Sequence, residues 1–411
     1  RPNANPIARP IANPTPMPRP MLPIATPIAQ PRTVPSTTPL PILAVGPGRR
    51  VRAAVDSIAG SYPPNAVPTH AGAGYRAHVV RLPPVEYVPY HELAGRPNVI
   101  LDGSPTEGTV VTISHWPGHP PPPEVADDLS AQMAFRMLDH PQLTGGVELV
   151  SNNHFDEDGL VSIYAATRPA DALARRALLE DVAAAGDFGT YRDRLAARVS
   201  MVLSAYATGR ADIDLPTDHA EETAVLFVEL LDRLPHVCEH IEQYRQLWAD
   251  EDATLDASER AIERGDATIS ELPDIDLAIV DVVGSTPRDG GHRFRDWTDG
   301  LHPMAVNNAT ERLVVATVRP GHYTVEQRYE SWVQLRSRVL RRRRDLVPLA
   351  ERLQDEEHGD AVWSAEPVST MTPWMTSGEG ESSITRSRFV ELLGDHLRSA
   401  PPAWDPFAVR S

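Results

Sequence analysis

Between residues 98 and 207, short apolar runs alternate with segments of helical periodicity. Asn98-Val-Ile-Leu101, Thr109-Val-Val-Thr-Ile113 and Val147-Glu-Leu-Val150 have the length and composition of buried strands. Helical patterns follow over residues 124–139 and 192–207. Strands that alternate with helices in this way usually pair in parallel. The sequence therefore predicts an α/β fold with a mainly parallel sheet flanked by helices.

The length of the chain predicts more than one folded part. At 411 residues it exceeds what one compact core usually supports. We expect residues 85–211 to form the first α/β domain and residues 212–411 a second, smaller α/β domain. Residues 1–84 are predicted to be a largely disordered tail, whose proline-rich residues 1–48 favour an extended conformation. This tract is either a plain extension or a ligand for a proline-reading partner.

Charge and composition exclude some classes of function. The formal net charge is −17, so a long nucleic-acid duplex or an anionic membrane is not expected as a partner. No apolar run is long enough for a transmembrane helix. Cys238 is the single cysteine, which excludes an intrachain disulfide and a cysteine-based zinc site. These features fit a cytoplasmic protein.

The second part of the chain carries its own local predictions. Helical sequence is predicted over residues 221–250 and onward to residue 271, and strands over residues 276–283 and 312–318. The basic stretch 337–344 is interpreted as a solvated helix face rather than as a polyanion site.

Acidic and imidazole side chains follow the predicted strands of the first domain. Because the carboxyl ends of parallel strands meet at one edge of a sheet, we expect these side chains to lie close together. A further aspartate, bracketed by two glycines, follows a small apolar run. The candidate metal ligands are Asp102, His115, His154, Asp156, Asp158 and Asp187.

Two imidazoles and four carboxylates suit a particular kind of metal site. Such hard donors suit Mn²⁺, Mg²⁺ or Fe²⁺ more than a closed structural zinc site, and six ligands suit two ions. A pair of ions activates a water and stabilises charge on a phosphoryl oxygen. The alternative for the turn around Asp156 is an acidic segment that only caps a helix.

The same residues resemble the DHH (Asp-His-His) phosphoesterase superfamily. His154-Phe-Asp-Glu-Asp-Gly159 is similar to its first motif, Asp102 to its second and Asp187-Phe-Gly-Thr-Tyr191 to its fourth. Ser114-His-Trp-Pro117, with Asp127-Asp-Leu-Ser130 behind it, resembles the third, although Ser114 and Trp116 replace the outer Asp and His. The motifs occur in a permuted order over residues 98–191. From about Val85 onward the chain also resembles an uncharacterised actinobacterial family, a domain of unknown function, which implies no activity.

The superfamily resemblance implies a hydrolase, a metal-dependent phosphoesterase that acts through two Mn²⁺ or Mg²⁺ ions. Asp156, Asp158 and His115 would be its catalytic residues, and the substrate a phosphorylated small molecule or a short oligonucleotide. The loop Gly290-Gly-His-Arg293 is similar to the Gly-Gly-His loop of the superfamily's substrate-binding domain. Its candidate substrate-binding residues are Gly290, Gly291, His292 and Arg293.

Two other functions remain open at this point. His115, His154 and Asp156 can form a two-His-one-carboxylate triad for a mononuclear Fe(II) enzyme. A catalytically degenerate domain that serves as a binding protein is the non-enzymatic alternative.

Overall fold

The computed structural model describes residues 85–283 and 301–408. The proline-rich tract and the loop at residues 290–293 lie outside the described residues. Contacts divide the chain into residues 1–76 and residues 77–411, and every described residue belongs to the second unit.

The first sheet is parallel throughout and has four strands in the order β1-β4-β2-β3. These are β1 (Glu86–Tyr87), β2 (Asn98–Leu101), β3 (Thr109–Ile113) and β4 (Leu149–Ser151). Val99 of β2 pairs with Val150 of β4, and Leu101 pairs with Ile113 of β3. The predicted parallel sheet is confirmed, and its strands all end at the same edge.

Helices cover this sheet and share one core with it. They are α1 (Ser130–Met137), α2 (Glu157–Thr167), α3 (Pro169–Ala174), α4 (Arg176–Asp187), α5 (Arg194–Ala207), α6 (His219–Glu239) and α7 (Arg245–Arg264). Residues 157–166 of α2 are all buried, because α2 packs against the sheet on one side and against α1, α4 and α6 on the others. Phe227 of α6 and Trp248 of α7 belong to the same apolar cluster as Val99 and Ile113. The predicted domain boundary after residue 211 stays a prediction.

The second sheet is mixed and mostly antiparallel. Its strands are β5 (Ala267–Leu272), β6 (Leu277–Val282), β7 (Val314–Arg319), β8 (His322–Gln327), β10 (Ser364–Ala365) and β11 (Trp374–Thr376), in the order β10-β11-β8-β7-β6-β5. Only β6 and β7 are parallel neighbours in it. Helices α8 (Pro303–Ala309), α9 (Val347–Glu356) and α10 (Arg386–Ser399) complete this part, together with a ribbon of β9 (Arg343–Arg344) and β12 (Pro402–Trp404). Leu353 and Phe389 bury α9 and α10 against the sheet.

Three local predictions are wrong. The helix predicted over residues 124–139 is confined to α1, because its first turn begins only at Ser130. Residues predicted as helical up to 271 include β5, which pairs antiparallel with β6 from Ala267 to Leu272. The basic stretch is not a helix face, since it contains β9 and the buried side chain of Arg343. In the described part of the chain, no helix is both long and apolar enough to cross a membrane.

Candidate metal centre

Asp102 begins the centre directly after β2. Its backbone is left-handed, with a φ of 55°, a conformation that aspartate tolerates better than most residues. Its side chain is fully buried, and Oδ1 accepts a 2.7 Å hydrogen bond from the hydroxyl of Ser130. Oδ2 has no hydrogen-bond partner among the described residues. The carboxylate is therefore held at one oxygen and open at the other.

His115 lies two residues beyond β3 and is also fully buried. Its Nδ1 lies 2.7 Å from the carbonyl oxygen of Asp128. Because a carbonyl oxygen only accepts, Nδ1 carries a proton, and Nε2 is the ring nitrogen that faces the carboxylates of Asp102, Asp158 and Asp187. A carbonyl contact of this kind orients metal-binding histidines in many proteins.

The loop after β4 supplies three more side chains. Asp156 is the N-cap of α2, and its Oδ1 accepts from the amide of Gly159 at 2.8 Å. Its Oδ2 lies 2.7 Å from Nε2 of His154. Asp158 accepts from the amides of Ser130 and Ala131 at 2.8 and 2.7 Å, so it caps the first turn of α1. The acidic turn caps helices, as the simpler interpretation held, and also brings two carboxylates to the centre.

Gly159 allows these groups to approach closely. A Cβ atom at this position would lie 2.3 Å from Nδ2 of Asn152 and 3.2 Å from Oδ2 of Asp102. Any side chain there would push apart the walls of the cluster. The segment His-x-Asp-x-Asp-Gly therefore ends in glycine because no side chain fits at this position.

Asp187 is the last residue of α4 rather than part of a strand end. Its Oδ2 is buried without a hydrogen-bond partner among the described residues and lies 3.4 Å from Nε2 of His115. In the small apolar run before it, Val182, Ala183 and Ala185 are buried, and α4 packs against α2.

All six predicted ligands meet in one place. Nε2 of His115 lies 3.7 Å from Oδ1 of Asp102 and 3.9 Å from Oδ2 of Asp158. Nε2 of His154 lies 3.5 Å from Oδ2 of Asp102. Two groups of three result, each with ligand atoms within 4.8 Å of one another: Asp102, His115 and Asp158, and Asp102, His154 and Asp156. The shared Asp102 joins them into a single centre, and Asp187 lies beside the first group, 3.4 Å from Nε2 of His115.

Burial and mutual repulsion raise the pKa, and so disfavour the charged form, of three of these acids: Asp102, Asp158 and Asp187. Burial raises the pKa of the Asp102 carboxyl well above its usual range, and the carboxylates of Asp156 and Asp158 raise it further. The pKa of Asp187 is raised by burial and then by the same two neighbours. A divalent cation would reverse this effect, because it stabilises the ionised ligands. The open oxygens of Asp102 and Asp187 thus fit a cation.

His154 and Asp156 form an ion pair at the less buried side of the centre. Burial opposes the charge on Asp156, but the contact with His154 and the amide of Gly159 outweigh it and hold its pKa below the usual value. Burial alone would lower the pKa of His154, yet the carboxylate of Asp156 raises it.

The second sheet also contributes to the centre, which the sequence did not indicate. Tyr329, in the 3-10 turn after β8, places its hydroxyl 3.3 Å from Nε2 of His115. The amide of Gln334 donates to the carbonyl oxygen of His115 at 2.8 Å. No local pattern marks Tyr329, because 214 residues separate it from His115.

Ser114 and Trp116, which replace the outer Asp and His of the third motif, make contacts within and beside the centre. Ser114 is buried, and its hydroxyl accepts from the amide of Trp116 at 3.2 Å. The ring of Trp116 packs against that of His154, with centroids 4.7 Å apart. Its indole N–H donates to the hydroxyl of Tyr329 at 2.9 Å.

A cavity of about 310 Å³ adjoins the centre at Asp187 and Tyr329. Phe188, Trp374 and Met371 supply its apolar wall. Its charged residues are Asp187, Glu326, Arg328 and Glu330. The predicted substrate-binding residues Gly290, Gly291, His292 and Arg293 lie outside the described residues, so that assignment stays a prediction.

A family model matches most of the chain. The family model described as "Family of unknown function (DUF6687)" matches residues 83–408. No curated protein and no solved structure matches the chain.

Proposed function

We propose that this chain, which belongs to the family of unknown function DUF6687, is a metal-dependent phosphoesterase. Its substrate would be a phosphodiester or a nucleotide-type compound, and two Mn²⁺ or Mg²⁺ ions would be its cofactors. The family assigns no activity, so the proposal rests on the centre itself.

One observation carries the proposal: the two ligand groups share Asp102. Each group offers one imidazole and two carboxylates, and a carboxylate shared between them can bridge two ions. The two histidines belong to different groups, which favours two ions over the mononuclear iron triad that would need both. The six residues that carry the DHH resemblance are the six that converge, and this supports a phosphoesterase of that type.

The chemistry divides between the ions and the chain. When bound, the ions lower the pKa of a water and neutralise charge on the phosphoryl oxygens. The residues fix the geometry: Ser130 holds Asp102, the carbonyl oxygen of Asp128 orients His115, and Gly159 anchors Asp156. In the hydrolysis, the water oxygen forms a bond to phosphorus, the P–O ester bond breaks, and the leaving oxygen takes up a proton.

Metal binding and activity can be tested together. We expect isothermal titration to show two Mn²⁺ ions per chain, and the loaded protein to hydrolyse bis(p-nitrophenyl) phosphate. Excess chelator should abolish the hydrolysis, and so should Asp156→Asn, which removes a charged ligand. Asp139→Asn, at an exposed aspartate beyond α1, is the matched control and should leave both properties unchanged.

Other results would contradict the proposal. Hydrolysis that persists in excess chelator or in Asp156→Asn would exclude the role given to the ions. One bound ion with uptake of O₂ would favour the mononuclear iron enzyme. A stable fold that binds no Mn²⁺ at millimolar concentration would favour the degenerate binding protein.

A further inference from the structure

The hydroxyl of Tyr329 lies between a candidate metal ligand, His115, and the indole of Trp116. The indole N–H of Trp116 donates to it at 2.9 Å, and Nε2 of His115 lies 3.3 Å away. An indole nitrogen is a donor only, so the phenol oxygen accepts this bond and keeps its own proton to donate.

The acceptor of that proton changes when a cation binds. Nδ1 of His115 donates to the carbonyl oxygen of Asp128, which leaves Nε2 as the acceptor for the phenol. A cation on Nε2 would occupy this lone pair. The phenol proton must then turn to another acceptor in the centre.

The surrounding structure fixes the position of Tyr329. The ring stacks on Trp332, with centroids 5.8 Å apart. On its N-terminal side, the backbone of Arg328 donates to the carbonyl oxygen of Leu313 at 2.8 Å. The carbonyl oxygen of Arg328 accepts from the guanidinium of Arg343 at 3.1 Å and from the hydroxyl of Ser331 at 2.6 Å. A donor held this firmly needs no rearrangement to meet a charged oxygen.

The geometry points to Tyr329 as the residue that donates a hydrogen bond to a phosphoryl oxygen of the substrate, with Trp116 as the residue that positions its hydroxyl. This inference rests on the proposed function, because it places a phosphoryl group at the two ligand groups. It goes further in assigning a substrate contact to a residue outside every motif of the first domain. A phosphoryl oxygen would be a strong acceptor for the phenol proton once Nε2 of His115 is ligated.

The test compares Tyr329→Phe with the wild type in the Mn²⁺-loaded full-length chain. The substitution keeps the ring and removes only the hydroxyl. We expect Mn²⁺ stoichiometry and affinity to stay within about twofold of wild type. The affinity for inorganic phosphate, measured by titration calorimetry, should fall about tenfold or more, as for a lost bond to a charged group. The kcat/KM for bis(p-nitrophenyl) phosphate should fall about 100-fold, mainly in kcat.

Two further variants separate a substrate contact from a structural role. Tyr323→Phe removes a hydroxyl in β8 that donates to the carbonyl oxygen of Ile384, away from the ligands, and should change neither phosphate affinity nor kcat. Trp116→Phe removes the donor that positions the phenol. It should also reduce phosphate affinity, but by less than Tyr329→Phe does. If the two residues act together, Tyr329→Phe and Trp116→Phe will not be additive.

The outcomes discriminate between the two proposals. Unchanged phosphate affinity and kcat/KM in Tyr329→Phe would overturn the inference, as would loss of Mn²⁺ binding in that variant or a loaded wild type that binds no phosphate. Tyr329-dependent phosphate binding without any hydrolysis by the wild type would support the inference while refuting the proposed function.

Discussion

At the scale of single residues, the candidate metal centre contains groups that destabilise the fold. Asp102 adopts a left-handed backbone conformation, and its Oδ2 is buried without a hydrogen-bond partner among the described residues. A buried carboxylate oxygen without a hydrogen bond is destabilising, and so is a left-handed backbone outside glycine. Such local conflicts concentrate at functional sites. The residues of this centre are therefore better explained by a ligand than by the fold.

Asp187→Asn tests whether the buried carboxylates of the centre destabilise the protein when no metal is bound. We expect the variant without metal to melt a few degrees higher than wild type, because the substitution removes one of four mutually repelling carboxylates from a buried site. Added Mn²⁺ should stabilise wild type by about 2.7 kcal/mol at 100 times its Kd and the variant much less. Thermal denaturation with and without Mn²⁺ measures both effects. A variant without metal that melts lower than wild type would show that Asp187 serves the fold.

The residue scale also shows what the sequence could and could not predict of the centre. Five of the six ligands follow predicted strands, so the rule that parallel strands end at one edge was enough to group them. Tyr329 could not be found, because its contact with His115 depends on how the second sheet meets the first. Asp128 contributes through its carbonyl oxygen, which no side-chain pattern reveals.

At the scale of secondary structure elements, the wrong predictions for α1 and β5 have one physical cause. Helix α1 begins at Ser130 because Asp158, 28 residues away in sequence, accepts from the amide there. Strand β5 forms at the end of the charged segment that was predicted to be helical, because β6 offers it six paired residues. Local propensity predicted β2, β3 and β4 of the first sheet, which are rich in apolar residues, and failed where a distant partner decides the element.

Glu357, after α9, joins two loops at the edge of the second sheet. Its carboxylate accepts from the hydroxyls of Ser382 and Ser383 at 2.5 and 2.6 Å, and from the indole of Trp363 at 2.9 Å. Burial alone would raise the pKa of Glu357, but the hydrogen bonds from Ser382 and Ser383 outweigh it and hold the pKa well below its usual range. Its ionised form therefore stabilises the folded state.

Glu357→Gln should lower the free energy of unfolding by about 1–3 kcal/mol at pH 7, because several donors lose a charged acceptor. Since the folded pKa is lowered, the contribution is complete above the unfolded pKa of about 4.3 and is lost as the pH falls below it. Urea denaturation of both proteins between pH 7 and pH 3 measures the difference, which should shrink toward acid. Glu379→Gln, at an exposed carboxylate nearby, is the control and should show no such pH dependence.

Arg343 connects the turn that carries Tyr329 to another wall of the cavity. Its guanidinium donates to the carbonyl oxygens of Thr370 and Met371 at 2.7 Å each, and to that of Arg328 at 3.1 Å. We expect Arg343→Lys to lower the free energy of unfolding by about 2 kcal/mol or more, because one ammonium cannot reach all these carbonyl oxygens. Urea denaturation measures this loss. Arg342→Lys, at an exposed ion pair with Asp405, should change stability by less than about 0.5 kcal/mol. Equal losses in the two variants would contradict the role given to Arg343.

At the scale of the whole molecule, the centre depends on both sheets. The first sheet and its helices supply every predicted ligand, while the turn after β8 supplies Tyr329. The irregular segment that follows that turn binds His115 and Asp128. The amides of Arg336 and Ser337 donate to the carboxylate of Asp128 at 2.5 and 2.8 Å. The cavity beside Asp187 is likewise lined from both parts of the chain. A substrate group bound there would contact the second sheet while its phosphorus lies at the metal centre.

The charge of that cavity predicts which esters the protein accepts. With Asp187 as a metal ligand, Glu326 and Glu330 face the guanidinium of Arg328 in its wall, which leaves one formal negative charge in a chain whose net charge is already −17. A second phosphate would be repelled there, whereas an uncharged carbon-based group would pack against Phe188 and Trp374. With Mn²⁺ bound, we expect kcat/KM for a diester with neutral aromatic groups to exceed that for inorganic pyrophosphate by about tenfold or more.

Removal of a charge from the cavity and addition of salt both test this preference for neutral esters. Glu326→Gln should raise kcat/KM for pyrophosphate and so bring it closer to kcat/KM for the diester. Glu229→Gln, on α6 and away from the cavity, should leave both values unchanged. Raising the ionic strength should narrow it as well, because salt screens the repulsion. Pyrophosphate hydrolysis that equals or exceeds diester hydrolysis in wild type would show that the cavity beside Asp187 does not receive the ester group.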